Sequence, residues 1–87
     1  MDADAYANRM NRCIGREVQR RREAIPLSAY TLGKAGSVSD QTILNIEQGR
    51  CSGGCLTGTL ARICVRLGTT MTDLVSSAER NQPGNGE

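Results

Sequence analysis

Apolar residues return every three or four positions along most of the chain, and no stretch alternates with a convincing period of two. Tyr6, Met10, Ile14 and Val18 step by four, which sets them on one helical stripe. This predicts a helix from about Asp4 to Ala24. Pro26 is expected to close it, its ring disfavouring a helical conformation at Ile25. Ser28 suits the N-cap of a second helix, with Leu27 before it and Leu32 four residues after it, the spacing of a hydrophobic staple. The same grammar repeats at once: Val38 precedes Ser39, and Ile43 lies four residues beyond it. Gly36, Ser37 and Val38 leave room only for a tight turn between the two helices, and Gly36 is expected to take the left-handed conformation. The third helix should run from about Asp40 to Gln48 and stop at Gly49.

After a glycine-rich loop at 50–55, Leu56, Leu60, Ile63 and Leu67 step by four, three and four, a fourth helix ended by Gly68. Thr70 caps a fifth, with Asp73 placed to reach back to the cap and with Met71, Leu74 and Val75 as the buried face. The fold class this predicts is all-α, a compact five-helix bundle. One domain is expected over 1–76, with 1–13 extending helix one at its N-terminal side. Residues 77–87, polar and turn-rich, are expected to be a disordered tail.

Composition narrows the chemistry. The 87 residues include no Phe, Trp or His, and Tyr6 and Tyr30 are the two aromatics. The core must therefore be aliphatic, and so small a core gains from dimerisation or a cross-link. Without His, imidazole acid–base catalysis and imidazole zinc sites are excluded. The carboxylates are scattered, so an enzyme is not expected, nor a cofactor. Eleven Lys and Arg against nine Asp and Glu leave a net charge of +2, but six arginines against two glutamates between Arg9 and Glu23 make a local +4. Such a run is either a solvated helix face or a phosphate-positioning surface. No apolar run approaches the roughly 20 residues needed to span a membrane. The polar start, with Asp2 and Asp4, predicts no secretory leader and a cytoplasmic location.

The four cysteines keep three readings open. Cys51 and Cys55 flank Ser-Gly-Gly in the loop after helix three, where a disulfide is geometrically feasible and oxidation could be sensed. Cys64 reads as a small buried hydrophobe on helix four, and Cys13 lies beside Ile14. A metal site of four thiolates would need all of them to converge, which their expected placement opposes, so no metal is expected.

Short helix, tight turn, short helix is the helix-turn-helix unit. The series Leu27-Ser28, Leu32-Gly33, Gly36-Ser37-Val38-Ser39, Thr42-Ile43, Ile46-Glu47 and Gly49 resembles the lambda-repressor-like (XRE/Cro) family of DNA-binding domains. Thr59-Leu60-Ala61-Arg62-Ile63 and Leu67-Gly68-Thr69-Thr70-Met71, followed by Asp73-Leu74, resemble that family's last two helices. The resemblance spans roughly Ile14 to Ser76 and rests on the ordered series rather than on one motif.

What the resemblance implies is a transcriptional regulator, usually a repressor-like homodimer on double-stranded DNA, in a bacterial or phage-type, nucleoid-associated setting. Its recognition helix would be the third, with Ser39, Asp40, Gln41, Leu44 and Asn45 at the base-contacting positions. Gln41 and Asn45 carry amides that suit adenine, Leu44 an apolar surface for a thymine methyl, and Asp40 an acceptor tolerable beside cytosine. Phosphate contacts would fall to Arg16, Arg20, Lys34 and Arg50, and to the start of helix two at Ala29 and Tyr30, with Arg9 and Arg12 extending the basic surface. Arg22 and Glu47 match a structural salt bridge of the family. Arg21 falls where an apolar residue is usual and should snorkel along the core edge. The contrasting expectation is a protein-interaction module or antitoxin-like partner on the same fold, which Asp40 and the modest net charge favour.

Overall fold

Five helices follow in order, α1 (Ala3–Ala24), α2 (Ala29–Gly36), α3 (Asp40–Glu47), α4 (Thr57–Leu67) and α5 (Met71–Arg80), in a computed structural model that describes residues 2–50 and 57–81. No strand occurs among the described residues. The starts of the helices follow local chemistry. The Ser28 hydroxyl accepts the Thr31 N–H at 3.1 Å, Ser39 that of Thr42 at 3.2 Å, and Thr70 that of Asp73 at 3.1 Å. Each such cap contributes on the order of 1 kcal/mol. Asp2 accepts the Asp4 N–H at 3.0 Å, so α1 begins at Ala3.

The core takes one fully buried aliphatic residue from every helix: Val18, Leu32, Ile43, Ile63 and Leu74. Ile46, Leu60, Cys64 and Leu67 surround them, and Ile14, Leu27, Val38 and Met71 pack at the margin. With no large aromatic to hold them apart, the helices close in on glycine. A Cβ built on Gly15 of α1 would lie 2.2 Å from the Ile46 carbonyl oxygen of α3. One on Gly33 of α2 would lie 2.7 Å from the Val38 carbonyl oxygen, at the entry to α3. Both are closer than van der Waals contact allows, so α3 and its entry meet two backbones as well as the core side chains.

Three expectations are corrected. Ile25, the C-cap of α1, keeps helical angles at φ −80° and ψ −19°, so Pro26 does not end the helix by pushing it out of that region. The left-handed residue of the α2–α3 turn is Ser37, at φ 62°, not Gly36. Gly36 ends α2 and is buried against α4, where a Cβ would come within 3.1 Å of Ile63 Cγ1. Glycine is thus used for packing, and serine carries the turn at a conformational cost of about 1 kcal/mol. Its N–H closes on the carbonyls of Gly33 and Lys34. The tail does not begin at residue 77, because α5 continues to Arg80 with Ser77 and Ala78 buried. Ala78 extends the face of Met71, Leu74 and Val75 by one more turn, and this α5 face packs along α1. Residues 82–87 and the 51–56 loop, with Cys51, Cys55 and Leu56, lie outside the described residues. Among the described residues no helix is long and apolar enough to cross a membrane.

Candidate nucleic-acid interface

α3 has two unlike faces. Ile43, Ile46 and Glu47 are buried, while Ser39, Asp40 and Gln41 are exposed. Leu44 and Asn45 are half-buried, so Leu44 is less open than its expected place on the reading face required. The exposed polar groups divide into two sets. Ser39 and Asp40 are turned back on their own helix start: Ser39 caps Thr42, and the Asp40 carboxylate accepts the Gln41 N–H at 2.9 Å. A carboxylate there also suits the positive end of the helix dipole. Gln41 and Asn45, one turn apart, are joined through their side chains, Gln41 Nε2 donating to Asn45 Oδ1 at 3.1 Å. The pair presents one amide surface, with the Gln41 carbonyl oxygen and the Asn45 amino group not consumed by that bond.

The far end of α3 is held by charge. Arg22 grips Glu47 in a fork, Nε to Oε2 at 2.5 Å and Nη2 to Oε1 at 3.0 Å. Its remaining nitrogen, Nη1, donates to the Leu27 carbonyl at 2.9 Å. One guanidinium therefore ties the end of α1, the α1–α2 link and the last turn of α3. The hydrogen bonds to Glu47 are the main reason the Arg22 pKa is raised, against the opposing effect of burial. The pair stands where the resemblance implied a structural salt bridge.

The basic residues are placed unevenly. Arg12 and Arg16 are exposed one turn apart on α1, and Arg12 packs its stem against Gly49, just beyond α3. Arg16 lies 3.5 Å from the Cys13 sulfur. Arg9 is half-buried, its guanidinium 5.8 Å from the Tyr6 ring centre. Arg20 is exposed but not free, since its guanidinium clasps Glu17. Any phosphate it contacts must share it with that carboxylate. At the start of α2, Ala29 is half-buried against the core, and exposed Tyr30 carries the Lys34 ammonium 5.1 Å from its ring centre. Arg50 is exposed, and its N–H returns to the Asn45 carbonyl at 2.8 Å.

Two residues that sequence reasoning passed over shape this surface. Gly15 lets α1 touch the α3 backbone. Glu17 is buried, and accepts from Arg20 and, at 2.7 Å, from Arg21. Burial pushes the Glu17 carboxyl up, but the hydrogen bonds and charges of Arg20 and Arg21 outweigh it and hold the pKa below the usual value. Arg21 does run along the core edge, and also donates to Ser77 of α5 at 3.3 Å. The sequence signal for Glu17 was its i+3 and i+4 arginines on a helix whose inner face includes Met10 and Cys13.

Cys13 and Cys64 are free and buried. Burial pushes the Cys64 thiol pKa up, and its sulfur lies 3.8 Å from that of Met71, so it serves as core. Among the described residues no cluster of three or more His, Cys, Asp or Glu could hold a metal ion.

No family model matches the chain, and no curated protein is significantly similar to it. Solved structures do resemble it. A crystal structure of the clp gene regulator ClgR from Corynebacterium glutamicum superposes with a TM-score of 0.80 at 21% identity, covering 88% of this chain and 80% of that one. A second ClgR structure gives 0.76 at 22% identity, with 84% and 91% covered. The architecture is thus an all-α helix-turn-helix fold shared with that regulator.

Proposed function

We propose that the protein is a sequence-specific DNA-binding transcriptional regulator of the lambda-repressor-like kind, with α3 as the helix that enters the major groove. The observation that carries this reading is the build of α3. Its inner face is clamped by Gly15, Gly33 and the Arg22–Glu47 fork, while its outer face presents the joined amides of Gln41 and Asn45. A rigid helix with a prepared amide surface is what base reading needs, and the carbonyl of one amide with the amino group of the other complements adenine N6 and N7. The fold shared with a gene regulator supports the same class.

In this reading Ser39, Asp40 and Leu44 flank the amide pair, with Asp40 favouring a cytosine amino group and Leu44 a thymine methyl. Arg16, Lys34 and Arg50 hold phosphates beside the backbone amides at Ala29 and Tyr30, and Arg20 joins them when it loosens from Glu17. The protein acts by occupancy, as a repressor, in the cytoplasm beside the chromosome. It does so as a homodimer on half-sites about one helical turn apart. Selection of bound sites from random duplex DNA tests this directly. Enrichment of an inverted repeat is expected, with preference at the amide-read positions lost in the Gln41→Ala, Asn45→Ala double variant. Affinity should fall about a thousandfold or more between 50 and 200 mM salt if 6–10 phosphates are contacted. Recovery of no sequence would instead favour the interaction-module reading.

A further inference from the structure

α4 carries a second surface, unrelated to the amide face of α3. Arg62, Val65 and Arg66 of α4 border a cavity of about 370 Å³ with Ala35 of α2. Val65 is 79% exposed, the most exposed of the large apolar residues among those described. A single exposed aliphatic residue needs no explanation. This one lies on a cavity wall between two guanidiniums one turn apart. Like charges at that spacing work against the helix. Among the described residues no acid relieves them: α4 contains no Asp or Glu, and neither arginine has an ion-pair or hydrogen-bond partner there. Arg21 and Arg22, by contrast, are paired with Glu17 and Glu47.

We infer that the α2–α4 cavity is a docking site for a short acidic segment of a partner protein, an aliphatic side chain entering between Ala35 and Val65 while flanking carboxylates meet Arg62 and Arg66. The charges select this occupant. A second copy related by two-fold symmetry would bring four guanidiniums together without a carboxylate in the patch. Nucleic acid would satisfy the arginines but leave Val65 and the cavity unused. Nothing in the inference rests on the DNA-binding reading, because the docking is measured with the peptide and DNA enters only as a competitor.

The test uses the full chain, isotope-labelled, titrated with a synthetic helical peptide of alternating Leu and Glu turns. Controls are the same peptide with Lys for Glu, and a random-sequence DNA duplex. Saturable amide shifts confined to Ala35, Arg62, Val65, Arg66 and their neighbours are expected with the acidic peptide alone. Val65→Asp should weaken that binding about tenfold or more. Arg62→Glu with Arg66→Glu should abolish it and transfer binding to the Lys peptide. These positions are exposed, and circular dichroism verifies that the variants fold. Shifts that do not saturate, equal binding of the two peptides, or displacement of the acidic peptide by the duplex from these same residues would each overturn the inference.

Discussion

Two glutamates, Glu17 and Glu47, are almost equally buried, yet they do different work. Glu47 meets Arg22 from 25 residues away, and the pair joins three segments of chain that would otherwise separate. Glu17 meets Arg20 and Arg21 within its own helix, one of them largely in solvent. Its tertiary consequence is indirect: it steadies Arg21, which reaches Ser77 and so touches α5. A long-range pair exists only when the fold is formed, so its loss falls wholly on the native state. An i,i+3 or i,i+4 pair also forms in any transient helix of the unfolded chain, which reduces its net effect on stability. Burial alone is therefore a poor guide to what a charged residue contributes.

The sharpest break of this comparison is Glu47→Ala. It strands the Arg22 guanidinium and should cost about 3–5 kcal/mol, read as a lower urea midpoint. Replacing both members with aliphatic residues, Arg22→Met with Glu47→Leu, should recover much of the loss if the stranded charge is the cause. Gly15→Ala comes next, at about 3 kcal/mol, because its methyl group would strike the Ile46 and Glu47 carbonyls and push α3 off its seat.

Glu17→Gln should be milder, about 2 kcal/mol at neutral pH. Its signature is pH dependence. The folded carboxyl titrates below its unfolded value of ~4.3, so its contribution is fully present above that pH and disappears as pH falls through the folded-state value. Wild type and Glu17→Gln should converge in stability as acid is added, and a constant gap down the titration would count against the assigned role. The smallest change in stability is expected from Arg20→Ala, which leaves Arg21 on the carboxylate and should scarcely move the thermal midpoint. If instead it matched Glu17→Gln, the exposed arginine and not Arg21 would be the important partner.

Much of this architecture was legible because it is local. The steps of four along α1 and of four, three and four along α4, and the hydroxyl caps at Ser28, Ser39 and Thr70, depend on neighbours within one or two turns. So does the amide surface of Gln41 and Asn45, whose spacing puts them on one face. The Arg22–Glu47 fork was reached by resemblance rather than by spacing. What was misread needed knowledge of a neighbouring helix. Ser37 took the left-handed turn while Gly36 stayed in α2, packed against Ile63. Ala78 looked like the start of a polar tail until α1 supplied a surface to cover it. Glu17 was passed over, so Arg20 looked available for phosphate although it clasps that carboxylate.

The order of residues alone specified five helices and the caps at Ser28, Ser39 and Thr70, since periodicity and capping are short-range. The packed molecule decided which glycine turns and which one packs, how far α5 extends, and which arginines are already engaged. Those outcomes depend on distances between segments remote in the chain, and contact across such a distance is settled only when every helix has competed for the same small aliphatic core.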